Sequence, residues 1–145
     1  SPATTAAPSN PGLKATWYDF KGKTCAEIAA APVKKTYRVE DVTIPRGVKS
    51  FIIGLTYKGY INIPEDGIYS FYLSSDDGSM LYIDGKQVID NDGLHAPGEV
   101  TGQAALKQGY HPIEVQYFDH GGGSINLKVC DNNGKEMPFT YLYAH

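Results

Sequence analysis

Ser74-Ser-Asp-Asp-Gly-Ser-Met-Leu-Tyr-Ile-Asp-Gly85 sets two Asp-Gly turn signals, Asp77-Gly78 and Asp84-Gly85, on either side of a run short enough to be one strand. Aspartate followed by glycine tolerates the positive φ of a tight hairpin. The same punctuation recurs outward in both directions, at Pro64-Glu-Asp-Gly67, Asp92-Gly93, Gln108-Gly109, Gly121-Gly-Gly123 and Asn133-Gly134. Between these signals the apolar residues alternate: Phe51, Ile53 and Leu55; Tyr57, Ile61 and Ile63; Tyr69, Phe71 and Leu73; Ile113, Val115 and Tyr117; Ile125, Leu127 and Val129. A period of two belongs to strands with one buried face. Links this short force neighbouring strands to run antiparallel. Roughly eight to ten strands are expected, in an all-β, antiparallel sandwich or barrel-like module. No internal repeat of fixed period points to a propeller or solenoid.

One helical signal precedes the strands. Thr24 and Glu27 have capping-box spacing ahead of Ile28-Ala-Ala-Ala31, and Pro32 stops the run. The expectation is one short N-terminal helix of barely two turns. The first twelve residues are mostly Pro, Ser, Thr and Ala, with Asn10 and Gly12, and have no apolar period, the composition of a tether. Residues 1–12 are therefore read as a linker or tail and 13–145 as one domain, a module of a longer protein, with any secretion signal expected outside it.

Composition narrows the function classes. The chain has 145 residues, 41% hydrophobic and 20% charged, with a net charge of −3, which suits an ordinary globule and offers no general attraction to nucleic acid or an anionic membrane. No stretch approaches the roughly 20 apolar residues that span a bilayer, so no membrane insertion is expected. Alternation from Ile125 to Val129 turns Cys130 outward with Ser124, Asn126 and Lys128. The pair Cys25 and Cys130 is then either a surface disulfide or two free thiols. There is no zinc spacing of Cys or His, no Gly-x-Ser-x-Gly elbow, no P-loop and no dinucleotide fingerprint. The carboxylates Asp84, Asp90, Asp92 and Glu99 cannot be matched by spacing as a glycosidase pair, so no catalytic residue is assigned.

Four stretches carry a family resemblance: Gly12-Leu-Lys-Ala-Thr-Trp-Tyr-Asp-Phe20, the run from Tyr57 to Phe71, the run from Ser75 to Gly85, and Leu106-Lys-Gln-Gly-Tyr-His-Pro-Ile-Glu-Val-Gln-Tyr117. In this order they resemble the family named after the fourteen-kilodalton segment of anthrax protective antigen. That resemblance implies a β-barrel or sandwich insert of bacterial glycoside hydrolases, fungal adhesins and toxins, many of which bind sugars. Asn91-Asp-Gly-Leu-His95 is most similar to versions attached to secreted bacterial glycosidases, β-hexosaminidases among them.

Asp76 and Asp77 are the first candidates for a site. Adjacent residues of a regular strand point to opposite faces, so the two share an ion only where the backbone bends, and Gly78 permits that. In the calcium-dependent adhesins that this chain resembles, the corresponding pair is joined by a cis peptide. Ca²⁺ takes six to eight oxygens, and the resemblance puts Asp119, before Gly121-Gly-Gly123, where the adhesins have an Asn. Asp76, Asp77 and Asp119 are accordingly the expected Ca²⁺ ligands and the centre of a glycan site. His95 and His120, in glycine-containing loops, and Tyr60, an aromatic that alternation leaves unassigned, are the further sugar contacts expected. The competing reading is an Asp-Gly hairpin turn with no ion at all. The function expected is a lectin-like module, extracellular, periplasmic or on a cell surface, with glycan and the other domains of its parent chain as partners. The alternatives are an accessory domain that shapes a glycosidase active site without binding free sugar, and a structural spacer.

Overall fold

The computed structural model describes residues 10–48, 52–138 and 142–144, and among these the chain forms eleven strands and one 3₁₀ segment. The strands are β1 (Asn10–Pro11), β2 (Leu13–Tyr18), β3 (Val33–Val39), β4 (Ile53–Ile63), β5 (Gly67–Asp76), β6 (Ser79–Ile83), β7 (Lys86–Asn91), β8 (Gly98–Leu106), β9 (Gly109–Asp119), β10 (Ser124–Cys130) and β11 (Leu142–Ala144). They build two antiparallel sheets. The larger runs β1-β11-β4-β9-β6-β7, with β2 also on β4 and β3 beside β2; the smaller runs β10-β5-β8. β2 and β11 share one edge of β4, at residues 54–58 and 59–61 respectively.

The two sheets exist because each strand has one apolar face that must be buried against another. Ile53, Leu55, Tyr57, Tyr69, Phe71, Leu73, Ile113, Val115, Tyr117, Leu127 and Val129 all lie in one buried cluster, as their alternation demands. Phe51, read with them, falls outside the described residues. Gly59 continues the inward face of β4. A side chain there would run into the Tyr143 carbonyl and Leu13, so glycine is what admits β11 alongside.

Asp84 and Gly85 form the two-residue link between β6 and β7 with φ of 55° and 75°, the positive pair a tight hairpin requires. The Asp84 carboxylate lies 2.9 Å from Nδ1 of His111, whose side chain is fully buried, and His111 Nε2 lies 2.7 Å from the Lys107 carbonyl. One imidazole thus ties the β6–β7 turn to the β8–β9 turn.

At the other end, three connections change sheets side by side. β5 passes to β6 through residues 77–78, β7 to β8 through 92–97, and β9 to β10 through 120–123. Registers Ser124↔Asp76 and Ser75↔Gly98 hold these crossings at one end of the sandwich.

Three sequence expectations change. The segment Cys25–Ala30 is 3₁₀ rather than α-helical, and the capping box does not form: Thr24 makes no side-chain cap and its hydroxyl donates to the Glu27 carboxylate instead, at 3.0 Å. Six residues are too few to sustain an α-helix without packing on both ends. Asn10 and Pro11, read with the tail, pair with Ala144 and Tyr143. Cys130 is buried rather than outward, because a Cys130↔Glu136 bridge and a bond from Met137 N–H to the Val129 carbonyl fold the next loop over it. Both thiols are free and buried.

Replacing His111 with alanine removes both turn ties and leaves the Lys107 carbonyl without its partner. Urea unfolding is expected to show a loss of about 2–4 kcal/mol; a loss under about 0.5 kcal/mol, the level of an ordinary surface change, would show that the turns dock without it.

Candidate functional site

The crossing from β5 to β6 is held by its own backbone. Asp77 N–H donates to the Phe118 carbonyl at 3.1 Å and Phe118 N–H donates to the Gly78 carbonyl at 3.0 Å, so the chain is captured by β9 as it leaves β5. The Ser75 hydroxyl donates to the Asp77 carbonyl at 2.8 Å and the Tyr117 hydroxyl to the Asp76 carbonyl at 2.8 Å. Gly78 leaves no room for a side chain, since a Cβ would lie 2.5 Å from the Phe118 ring and 2.7 Å from Gly93 N. Phe118 itself sits in a second apolar cluster with Phe20, Cys25, Ile28 and Met80, so the 3₁₀ segment braces the crossing from behind.

The peptide bond between Asp76 and Asp77 is cis. The carboxylates of Asp76, Asp77 and Asp119 converge, each offering an oxygen, and these oxygens all lie within 4.8 Å of one another. Asp77 accepts the His95 N–H at 3.1 Å on one oxygen and the His120 N–H at 2.9 Å on the other. Asp119 is buried and accepts the N–H groups of Gly121 and Gly123. Gly123 approaches so closely that any side chain would strike the Asp76 carbonyl and Asp119.

The electrostatics follow from that crowding. Desolvation, then the charges of Asp77 and Asp119, raise the Asp76 pKa above the usual carboxylate value. Desolvation and the same three carboxylates push the Tyr117 hydroxyl well up. At His95 burial works to lower the pKa, but bonds to the Ala96 and Asn91 carbonyls together with Asp77 and Asp76 outweigh it and the net shift is upward.

The structure therefore brings Asp76, Asp77 and Asp119 together. His95 and His120 join them through backbone N–H groups rather than rings. Both ring nitrogens of His95 are engaged by the Ala96 and Asn91 carbonyls, and His120 Nε2 by the Gly22 carbonyl. Tyr60 is not brought to the site. It is paired with Pro112 and Tyr143 on β4, and the residue opposite Asp119 is Ile53, seven positions away, or roughly 23 Å of strand. Of the carboxylates weighed for hydrolysis, Asp84 serves His111, Asp92 accepts the Cys25 N–H at 2.9 Å, and Glu99 accepts the Ser74 hydroxyl.

Sequence reasoning missed Asn91 and Leu94. Asn91 is buried and its amide donates to the Gly98 carbonyl at 3.0 Å and the Leu73 carbonyl at 3.3 Å, fixing both ends of the 92–97 loop to β5. Its signal is parity, two residues after the buried Ile89 on the same face. Leu94, 49% exposed, precedes the His95 N–H that binds Asp77.

Comparison with known proteins identifies the family and the fold. The sequence matches the PA14 domain family over residues 9–141. It is 36% identical over 77 residues to a β-hexosaminidase of Porphyromonas gingivalis, covering 52% of this chain and 9% of that protein. It is 41% identical over 68 residues to an α-agarase of Thalassotalea agarivorans, covering 47% of this chain and 4% of that one. The chain thus spans less than a tenth of the length of either relative. Among solved structures, a PA14 sugar-binding domain from an RTX adhesin superposes with a TM-score of 0.79 at 19% identity, over 94% of this chain and 99% of that one; at that identity the likeness is one of fold.

Two substitutions in the same cluster are expected to act in opposite directions without added cation. Asp77→Ala removes two charge-assisted bonds and orphans two N–H groups, lowering stability by about 2–4 kcal/mol. Asp76→Asn raises stability at neutral pH: a raised folded-state pKa means that ionising this carboxyl opposes folding, and the amide removes the charge. For the same reason the wild type gains from this group as pH falls through the Asp76 titration. Urea midpoints of both variants at neutral and acidic pH check the signs.

Proposed function

The chain belongs to the PA14 domain family, and from that premise we propose that it is a non-catalytic carbohydrate-binding module whose glycan site is centred on Asp76, Asp77 and Asp119. The observation that carries this reading is the convergence of three carboxylates at the loop end of the sandwich. The printed function of the superposing adhesin domain, sugar binding, supports it, as does the glycoside hydrolase activity in the names of the two relatives. The parent chain is, on this reading, a larger secreted bacterial glycoside hydrolase, acting outside the cell or in the periplasm.

The residues fit Ca²⁺. The donor set is oxygen alone, which suits a hard cation and not zinc. It also crowds like charges, and desolvation followed by the charges of Asp77 and Asp119 raises the Asp76 pKa. Asp76, Asp77 and Asp119 would hold the ion, and when bound it would supply positive charge and open coordination positions for vicinal sugar hydroxyls. Three carboxylates leave part of the six-to-eight-oxygen shell to other groups. The protein's own part is to hold the Asp77 and Asp119 oxygens in place through the bonds from His95, His120, Gly121 and Gly123.

A glycan array read with Ca²⁺ and with EDTA is expected to show binding in Ca²⁺ that falls at least tenfold in EDTA and in Asp119→Ala, which removes the side-chain oxygens altogether. Ca²⁺ also raises Tm, since a ligand of the folded state alone stabilises by mass action. Sugar binding that persists in EDTA removes the metal from the account; no sugar bound in either condition removes the lectin reading.

A further inference from the structure

The outer face of the larger sheet carries a second feature that the aspartate site does not use. Beyond the area covered by the 3₁₀ segment lies an open groove of about 370 Å³, lined by Lys58, Tyr82, Glu114 and Gln116 among others, within the roughly 300–1,000 Å³ range of small-ligand sites. Its floor is set by register. Lys58 of β4 is opposite Glu114 of β9 and Glu114 is opposite Tyr82 of β6, while Gln87 of β7, opposite Tyr82, extends the row beyond the groove's own lining. Four side chains on adjacent strands make a row roughly 14 Å long at about 4.8 Å per strand.

The chemistry of that row is specific. Tyr82 is half-buried, with its inner side against the cluster of Phe20, Met80 and Phe118. The Glu114 carboxylate, rather than pairing with Lys58, accepts Gln116 Nε2 at 2.8 Å, and the Lys58 ammonium has no partner among the described residues. Within the groove one cation, one anion and one amide give a lining without net charge that both donates and accepts, beside an aromatic ring and next to the Gln87 amide. Pyranose rings present the same combination, hydroxyls around an apolar face. A nucleic acid would need net positive charge. A protein contact would favour an apolar centre depleted in charge, and the large exposed aliphatics Val33, Ile52, Ile68 and Leu94 lie outside this groove.

We propose that this groove is a second carbohydrate site, which takes a short neutral oligosaccharide laid across β4, β9, β6 and β7, with Tyr82 as the stacking residue and Lys58, Gln87, Glu114 and Gln116 as hydroxyl partners. It requires no cation and does not rest on the aspartate site. The two are told apart by working in EDTA. Amide NMR of this chain is titrated with neutral hexasaccharides: a β-1,4-glucan, a β-1,4-linked N-acetylglucosamine chain and agarose. At least one is expected to shift Lys58, Tyr82, Gln87 and Glu114 together while Asp77 and His120 stay still. Tyr82→Ala weakens that binding at least tenfold and Tyr82→Phe less than threefold. Because Tyr82 also packs inward, Gln87→Ala and Lys58→Ala, both at exposed positions, serve where the alanine variant of Tyr82 does not fold, with losses of at least threefold. No shift on this face with any of the three sugars, or affinities unchanged in all folded variants, overturns the proposal. So does a full-length parent protein in which this face is buried against another domain and the sugar no longer shifts it.

Discussion

Asp77 is the point on which the loop end depends, because one carboxylate accepts backbone N–H groups from two loops that are distant in sequence. The chain must change sheets three times at this end, between β5 and β6, β7 and β8, and β9 and β10. Each crossing leaves the ladder of one sheet before entering the other, and exposes backbone groups that need partners. Asp77 sits in the first crossing and satisfies His95 in the second and His120 in the third. Its own N–H is meanwhile taken by Phe118. Asn91 fixes the second crossing to β5, and Asp119 closes the third on its own glycines.

The same solution creates the chemistry. Three carboxylates brought within one small volume repel one another when ionised. In the protein alone, desolvation and then the charges of Asp77 and Asp119 raise the Asp76 pKa. Structural and functional roles then divide within the cluster. Asp77 and Asp119 are anchored by backbone donors and shape the loops, whereas no backbone donor among the described residues anchors the Asp76 carboxylate. An acidic cluster with one member whose ionisation opposes folding is well placed to take a cation, since a bound ion reverses the sign of that contribution.

The sandwich was legible because period-two alternation and turn glycines act locally: Tyr69, Phe71 and Leu73, or Asp84-Gly85, need no partner to be read. Asp119 was legible only through family resemblance, since nothing in spacing puts it beside residues some forty positions earlier. The way His95 and His120 join the aspartates was not legible, for a physical reason. A sequence shows side chains, and these residues reach Asp77 with main-chain N–H groups while their rings turn to carbonyls. Tyr60 failed on register, which places it on the outer face of β4 far from the crossings. Cys130 failed because a tertiary bridge to Glu136 overrides the parity of a strand's last residue.

The most direct measurement is diffraction from crystals grown with Ca²⁺, with anomalous scattering used to identify the ion. The account predicts an anomalous peak bonded to oxygens of Asp76, Asp77 and Asp119 at about 2.3–2.6 Å, with Asp77 still accepting the N–H groups of His95 and His120. Water alone between the three carboxylates at saturating Ca²⁺ would contradict it, and would leave Asp76, Asp77 and Asp119 as the knot of a fold and nothing more.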